Sequence, residues 1–412
     1  MAEENNDESI AVTANAPDTS RNSLTDRYGF TVGDSFHTSL KLPDSEIKKR
    51  NKKERERELK WIHMMKSWYV YSNQNNYIAH RTLKNRLRKG VPDAIRVAVW
   101  KYYLRFDEVK RKYGPPPTVE KLQRDLPDIV FDDIQKDIDR TFPTHAQFDN
   151  GSVGQRDLKF LLECYAQVDP ETSYCQGMSF VAAFLLTYMV PEEAYYCFVS
   201  IMMEHSYKCR QLYQPNMYET QCILHVFDRL GQRYLPRLWK HLEEQMMTPS
   251  MYATEWFMTL FCRGFSFDLV TRAFDLFVSE GMKTYYRVCL ALLKSIESEL
   301  LEAGFEEIMG ILRNIPGKCD SEVVMKIAFT IPLRRRVIAD AEAEFVGIYA
   351  AREAERAANR LRRVASNPIS PPNSPLASPS KSPSKTLTDE APDEMQCDQP
   401  DGVINDADVV SE

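Results

Sequence analysis

The sequence predicts an all-α fold, and three observations carry that prediction. Glycine is scarce, at 15 of 412 residues, which suits helices better than a sheet-rich chain with many tight turns. Apolar residues recur at spacings of three and four through most of the middle of the chain. No run of alternating β-branched residues demands a strand.

Taken in order, residues 1–25 are acidic, polar and poor in large apolar groups, and are expected to be disordered. Residues 26–85 form an N-terminal helical extension. In it, Tyr28-Gly29-Phe30 and Phe36 are expected to pack on a neighbouring surface. Pro43-Asp44-Ser45-Glu46 marks a helix start with Asp44 or Ser45 as cap. Trp61, Met64, Met65 and Trp68 then fall on one helical face.

Residues 86–313 make up the main domain. A helix begins near Pro92, followed by Ile95, Val99 and Tyr103 on one face. Tyr113-Gly114-Pro115-Pro116-Pro117 is a loop. Residues 132–140 read as a short helix closed by Pro143. Leu158, Leu161, Leu162 and Tyr165 repeat at helical spacing until Asp169-Pro170-Glu171 breaks the pattern. The nearly unbroken apolar run at residues 178–190 is too short to span a bilayer and reads as a buried core helix. Further helices follow, with breaks at Pro215, Pro236, Pro249 and Gly264. Residues 314–364 form a C-terminal helical extension ending in a long helix from Leu333 to Val364. Residues 365–412 form a disordered tail, Ser/Pro-rich and then acidic. No short repeat indicates a solenoid.

Charge and composition exclude several function classes. The net charge is −6. Residues 365–412 hold two lysines and nine acidic residues, a net −7, which leaves +1 for the rest. The folded part therefore lacks the positive excess of a nucleic-acid-binding protein. Nine scattered cysteines without a Cys-x-x-Cys pair, and no signal peptide, point to reduced thiols in a cytoplasmic protein. The phosphate-binding loop Gly-x-x-x-x-Gly-Lys-Ser/Thr is missing, as are Gly-x-Ser-x-Gly and His-Glu-x-x-His. His205 and Cys209 are four residues apart, but two ligands do not make a zinc site, and packing explains them better.

Two segments stand out. In the first, residues 134–143, Ile134 and Ile138 form a buried face and Arg140 sits at the helix end before a proline turn. An arginine there can project into a partner, or it can simply pair with Asp137 across one turn. The second is Tyr174-Cys175-Gln176-Gly177-Met178, at the entrance to the most apolar helix. Gly177 lets another backbone come close while Gln176 faces outward; an ordinary polar helix entrance is the alternative. Cys175 has no histidine within the segment to activate it as a nucleophile.

Together these segments resemble the TBC domain of Rab GTPase-activating proteins. That family has Arg-x-Gly-Val/Ile-Pro, then Ile-x-x-Asp-x-x-Arg-Thr, then Tyr-x-Gln-Gly-Met. This chain has Arg88-Lys89-Gly90-Val91-Pro92 with Arg96 and Trp100 following, and both later motifs intact. Leu235-Pro236-Arg237-Leu238, the segment from Trp256 to Phe261 and the segment from Glu280 to Leu293 also resemble the family, so that the likeness covers residues 86–303. Two departures stand out. Phe274 precedes Asp275 where tryptophan is usual, and Tyr218-Glu219 follow Met217 where glycine is common.

The resemblance implies a multi-helix TBC-type domain that stimulates GTP hydrolysis by a GTP-bound Rab-family GTPase and so regulates vesicle trafficking. By similarity, Arg140 is an arginine finger and Gln176 a glutamine finger, supported by Asp137, Tyr174 and Gly177. Arg88 to Pro92, Trp100, Trp256 and Phe257 are expected to be scaffold. GTP and Mg²⁺ would belong to the GTPase; the chain itself is expected to have no cofactor, no metal and no independent hydrolase activity. A non-catalytic Rab-binding adaptor is the alternative. Membrane contact is expected through peripheral recruitment rather than insertion. Ser370-Pro371, Ser374-Pro375, Ser378-Pro379 and Ser382-Pro383 are either sites for proline-directed kinases or part of a solvated spacer.

Overall fold

The computed structural model describes residues 25–31, 42–73, 75–204, 207 and 209–366. Phe36, His205, the Ser-Pro sites and most of both expected tails lie outside the described residues. The described residues are all-α, with isolated bridges only between Thr25 and Thr31 and between Phe30 and His145. Two units are distinguished, Met1–Ala354 and Glu355–Glu412. In the second, the described residues continue a helix and are exposed from 355 to 362.

The helix Met178–Leu186 lies at the centre, and all nine of its residues are buried. A helix apolar on every side has no face to present to water and must be wrapped by others. Asp128–Ile138, Val153–Val168 and Pro191–Met203 pack against it. The helix stops at Leu186 rather than running the length of the apolar segment. Pro191 opens the next helix, and Val190 before it is extended at ψ 155°. No described helix is long and apolar enough to cross a membrane.

Buried polar ties join the expected scaffold residues. The fully buried carboxylate of Asp275 accepts hydrogen bonds from Arg96 Nε at 3.0 Å and Trp100 Nε1 at 2.9 Å. Arg88 and Arg287 both reach Glu280, at 2.7 and 3.1 Å. Trp61 Nε1 donates to the Gly90 carbonyl at 2.8 Å, which fastens the N-terminal helix to the start of the main domain. Phe274 lies edge-on to Trp100 and Phe184, so an aromatic ring fills its position.

Residues 25–31 form a hook whose Phe30 ring is buried edge-on against Phe142 and Phe267. Thr31 N donates to the Thr144 carbonyl and Ala146 N to that of Gly29, both at 2.9 Å. The hook thus backs the loop that follows Arg140. Gly29 has φ +95°, and a Cβ there would stand 2.8 Å from His145 Nε2, so glycine is required on both counts.

Several expected boundaries move. The first long helix runs Asp44–Met65 with Pro43 as N-cap, so neither Asp44 nor Ser45 caps it. It breaks at Lys66 and Ser67, and Trp68 opens a separate helix, Trp68–Ser72, so the four residues do not share one helix. Trp68 packs edge-on against Tyr102 instead. The short helix before Arg140 spans Asp128–Ile138, starting directly after Pro127. The expected boundary at 313/314 falls inside the helix Phe305–Lys318, and the last helix is Arg335–Ser366. Tyr218 begins its helix immediately after Met217 at φ 50°, and its ring packs on Phe345 and Tyr349.

Candidate functional site

The Asp128–Ile138 helix buries Ile134, Asp137 and Ile138 together. It ends at Ile138, so Arg140 lies in the turn beyond the helix rather than in its last residues. Thr141 closes this turn. Its buried hydroxyl donates to the Asp137 carbonyl at 2.6 Å and accepts from the Ser179 hydroxyl at 2.8 Å. That contact ties the turn to the central helix. Phe142 follows at φ 49° with its ring in the core, which fixes the direction of the chain after Arg140.

The second segment enters from a loop held at its base by Asp169. Arg210 makes a bidentate pair with this carboxylate, both contacts at 2.7 Å, and Tyr165 donates to it at 2.9 Å. Burial alone would raise the Asp169 carboxyl, but the bonds from Arg210 and Tyr165 outweigh it and hold it below its usual range. Ser173 N donates to the Asp169 carbonyl at 2.7 Å, and Ser173 takes φ 54°. Gly177 takes φ +102° as the N-cap of the central helix. A Cβ there would meet Thr259 Cγ2 at 3.6 Å, an ordinary contact. Its requirement is therefore conformational rather than spatial. Gln176 is exposed as a result, while Gly177 and Met178 are buried.

The two segments meet at Asp137. Arg140 pairs with one oxygen of this carboxylate and the Tyr174 hydroxyl donates to the other. Asp137 is only 4% exposed, whereas Arg140 remains 43% exposed. The ionic pairing of Arg140 with Asp137 and an outward-facing arginine are thus both present in one arrangement. Burial, reinforced by the Asp137 bond, raises the Tyr174 hydroxyl far above the usual tyrosine range, so it stays protonated as a donor. Burial also pushes the Cys175 thiol up, which opposes a nucleophilic role.

Arg140 and Gln176 open onto adjoining clefts. The Arg140 cleft is about 620 Å³ and is bordered by Phe142, Phe180, Trp256, Arg263, Leu312 and Arg313. The Gln176 cleft is about 420 Å³ and includes Gly177, Met258 and Thr259. Phe180, Met251, Tyr252, Glu255 and Arg263 line both. Glu255 and Arg263 pair at 2.7 Å in this shared wall. Trp256, expected to be scaffold, is buried in the core and also edges the Arg140 cleft. Sequence reasoning missed Glu255, Arg263 and the Thr141–Ser179 contact. Thr141 and Ser179 are 38 residues apart, and Glu255 and Arg263 reach the Arg140 cleft from more than a hundred residues away, so no local pattern encodes them. Among the described residues, no three metal-ligating side chains cluster; Cys209 is buried, with its thiol raised by burial.

The sequence model of the Rab-GTPase-TBC domain matches residues 93–301, just over half of the chain. Mouse TBC1 domain family member 10B is 34% identical over 306 residues, 72% of this chain but 36% of that protein. The chain thus spans about a third of that relative's length. Mouse Carabin is 33% identical over 320 residues, covering 76% of this chain and 69% of Carabin. The crystal structure of the Chlamydomonas flagellar RabGAP TBC domain shares the fold, with a TM-score of 0.55 at 23% identity, covering 74% of this chain and 99% of that one. With the family model matching more than half of its length, this chain belongs to the Rab-GTPase-TBC domain family.

Proposed function

We propose that this chain is a GTPase-activating protein for Rab-family GTPases in their GTP-bound state. The observation that carries the reading is the placement of two exposed side chains, Arg140 and Gln176, on adjoining clefts, with Arg140 anchored through buried Asp137. Hydrolysis on a small GTPase needs charge stabilisation at the transferring phosphoryl and a positioned water, with little covalent work from protein groups. A planar guanidinium has five N–H donors. Arg140 can therefore keep Asp137 as anchor while donating to phosphate oxygens. Lysine lacks this fork. Gln176 orients the attacking water, since its amide both accepts and donates.

Asp137 and Tyr174 act as positioning residues, holding Arg140 at an angle set before the partner arrives. GTP and Mg²⁺ are held by the GTPase, and this chain contributes no cofactor. Its place on membranes follows from the GTPase it engages, consistent with a cytoplasmic protein acting in vesicle trafficking. The Ser-Pro sites of the C-terminal segment are proposed substrates of proline-directed kinases.

The test is GTP hydrolysis by a panel of purified Rab GTPases with and without this protein, paired with binding to their GTP- and GDP-loaded forms. Acceleration of one or a few GTPases supports the reading. Tight binding to a GTP-loaded GTPase without acceleration would instead identify an adaptor.

A further inference from the structure

We propose that the cleft beside Arg140 docks an acidic segment of the GTPase, and that Arg263 and Arg313 determine which GTPase is accepted. This rests on the activator reading above. The family match ends at residue 301, yet the helix Phe305–Lys318 supplies Leu312 and Arg313 to the wall of the Arg140 cleft. Three guanidinium groups, those of Arg140, Arg263 and Arg313, border this cleft against a single carboxylate, Glu255. Asp137 answers Arg140 from below and Glu255 answers Arg263 at 2.7 Å. The cleft therefore keeps a positive face at exposed Arg313.

The lining also has an apolar side. Phe180 and Leu312 lie along the cleft, and the Arg263 guanidinium stands 5.5 Å from the centre of the Phe180 ring. A segment with acidic and apolar side chains matches both features, with its carboxylates on Arg313 and Arg263 and its apolar groups on Phe180. The Glu255–Arg263 pair is about half exposed on both sides. Ion pairs of that kind are weak, so Arg263 exchanges Glu255 for a carboxylate of the incoming partner. The occupant is the GTPase because Arg140 borders the same cleft. A protein whose nucleotide reaches Arg140 must lie over this wall. Since helix Phe305–Lys318 lies apart from the two finger-bearing segments, its residues give this chain a means of selection separate from the catalytic motifs.

The experiment uses the full-length protein and a GTPase that the wild type accelerates, with initial rates measured across GTPase concentration. Arg313→Ala and Arg263→Ala are expected to raise KM about three- to tenfold and Arg313→Glu further, in line with exposed and interfacial charge pairs. The kcat stays within about twofold, the dependence of KM on salt flattens, and Arg313→Lys restores most of the loss. Thermal melts of the Arg313 variants match the wild type, because Arg313 is exposed. Unchanged KM in these variants overturns the proposal and leaves the activator reading standing. A lower KM in Arg313→Glu overturns it as well, because an acidic segment of the GTPase would be repelled by the introduced carboxylate. Failure of the wild type to accelerate any GTPase sinks both readings together.

Discussion

The Tyr174 hydroxyl donates to the buried carboxylate of Asp137, 37 residues earlier in the chain. Because Asp137 also pairs with Arg140, the segment carrying Gln176 and the one carrying Arg140 share one anchor. A change in either segment is felt by the other. Tyr174→Phe removes the donor and leaves Asp137 with one partner fewer. A hydrogen bond to a charged group contributes about 1.5–3 kcal/mol. Tyr174→Phe is expected to lower kcat for stimulated hydrolysis by about tenfold while KM changes little. Single-turnover assays at saturating protein check this, and a kcat equal to wild type would remove Tyr174 from the positioning role.

Gly177 presents a different constraint, because its φ of +102° rather than crowding is what excludes other residues. Gly177→Ala is expected to destabilise the protein by about 1–2 kcal/mol, as for alanine forced to positive φ. It should also displace Gln176 and lower the stimulated rate. Urea unfolding and GTP hydrolysis measured on the same sample test both effects. Gln176→Ala provides the contrast, since an exposed side chain should leave stability within about 0.5 kcal/mol while the rate falls.

Asp275 is expected to matter for stability and only indirectly for rate. Removing its carboxylate takes the acceptor from Trp100 Nε1 and Arg96 Nε, both in buried side chains, and leaves Arg96 only its contacts to the Val91 carbonyl and Asp93. Breaking a buried pair by deleting one partner costs about 3–5 kcal/mol. Asp275→Ala should therefore lower the urea midpoint substantially. A midpoint equal to wild type would show that Arg96 finds another acceptor.

Asp169 gives the loop before Tyr174 a dependence on pH. Its folded carboxyl lies below the ordinary range, held there by Arg210 and Tyr165 against the effect of burial. The unfolded chain binds that proton more readily, so the contribution is fully present above the ordinary aspartate pKa of about 3.9. It is lost as pH falls from there through the lower folded value. Asp169→Asn should flatten the acid limb of the stability curve below about pH 4. Urea unfolding across pH 3–6 for both proteins measures this, and parallel curves would contradict it.

Much of this was legible in the sequence because helical periodicity and proline punctuation are local signals. Pro191 and Pro236 open helices, and the all-buried helix Met178–Leu186 appears as a nearly unbroken apolar run. The start at Asp128 was missed because Ile129, Val130 and Phe131 are only partly buried or exposed and do not extend the Ile134–Ile138 stripe cleanly. The break before Trp68 has neither glycine nor proline to mark it. At the site, Arg140, Gln176 and Asp137 lie in short motifs and could be named. The shared wall of Glu255, Arg263 and Phe180 could not, because it exists only once the helices have packed.

Arg140 supplies the most direct test. Its side chain is 43% exposed, so removing it should leave the fold intact, whereas arginine fingers supplied to other GTPases contribute on the order of 10³–10⁵ in rate. The measurement is GTP hydrolysis by an accelerated Rab GTPase with wild type, Arg140→Ala and Arg140→Lys, alongside thermal melts and binding to the GTP-loaded form. Near-complete loss of stimulation in both variants, with melting and binding retained, is the predicted result. Near-wild-type stimulation by a folded Arg140→Ala protein would contradict the mechanism.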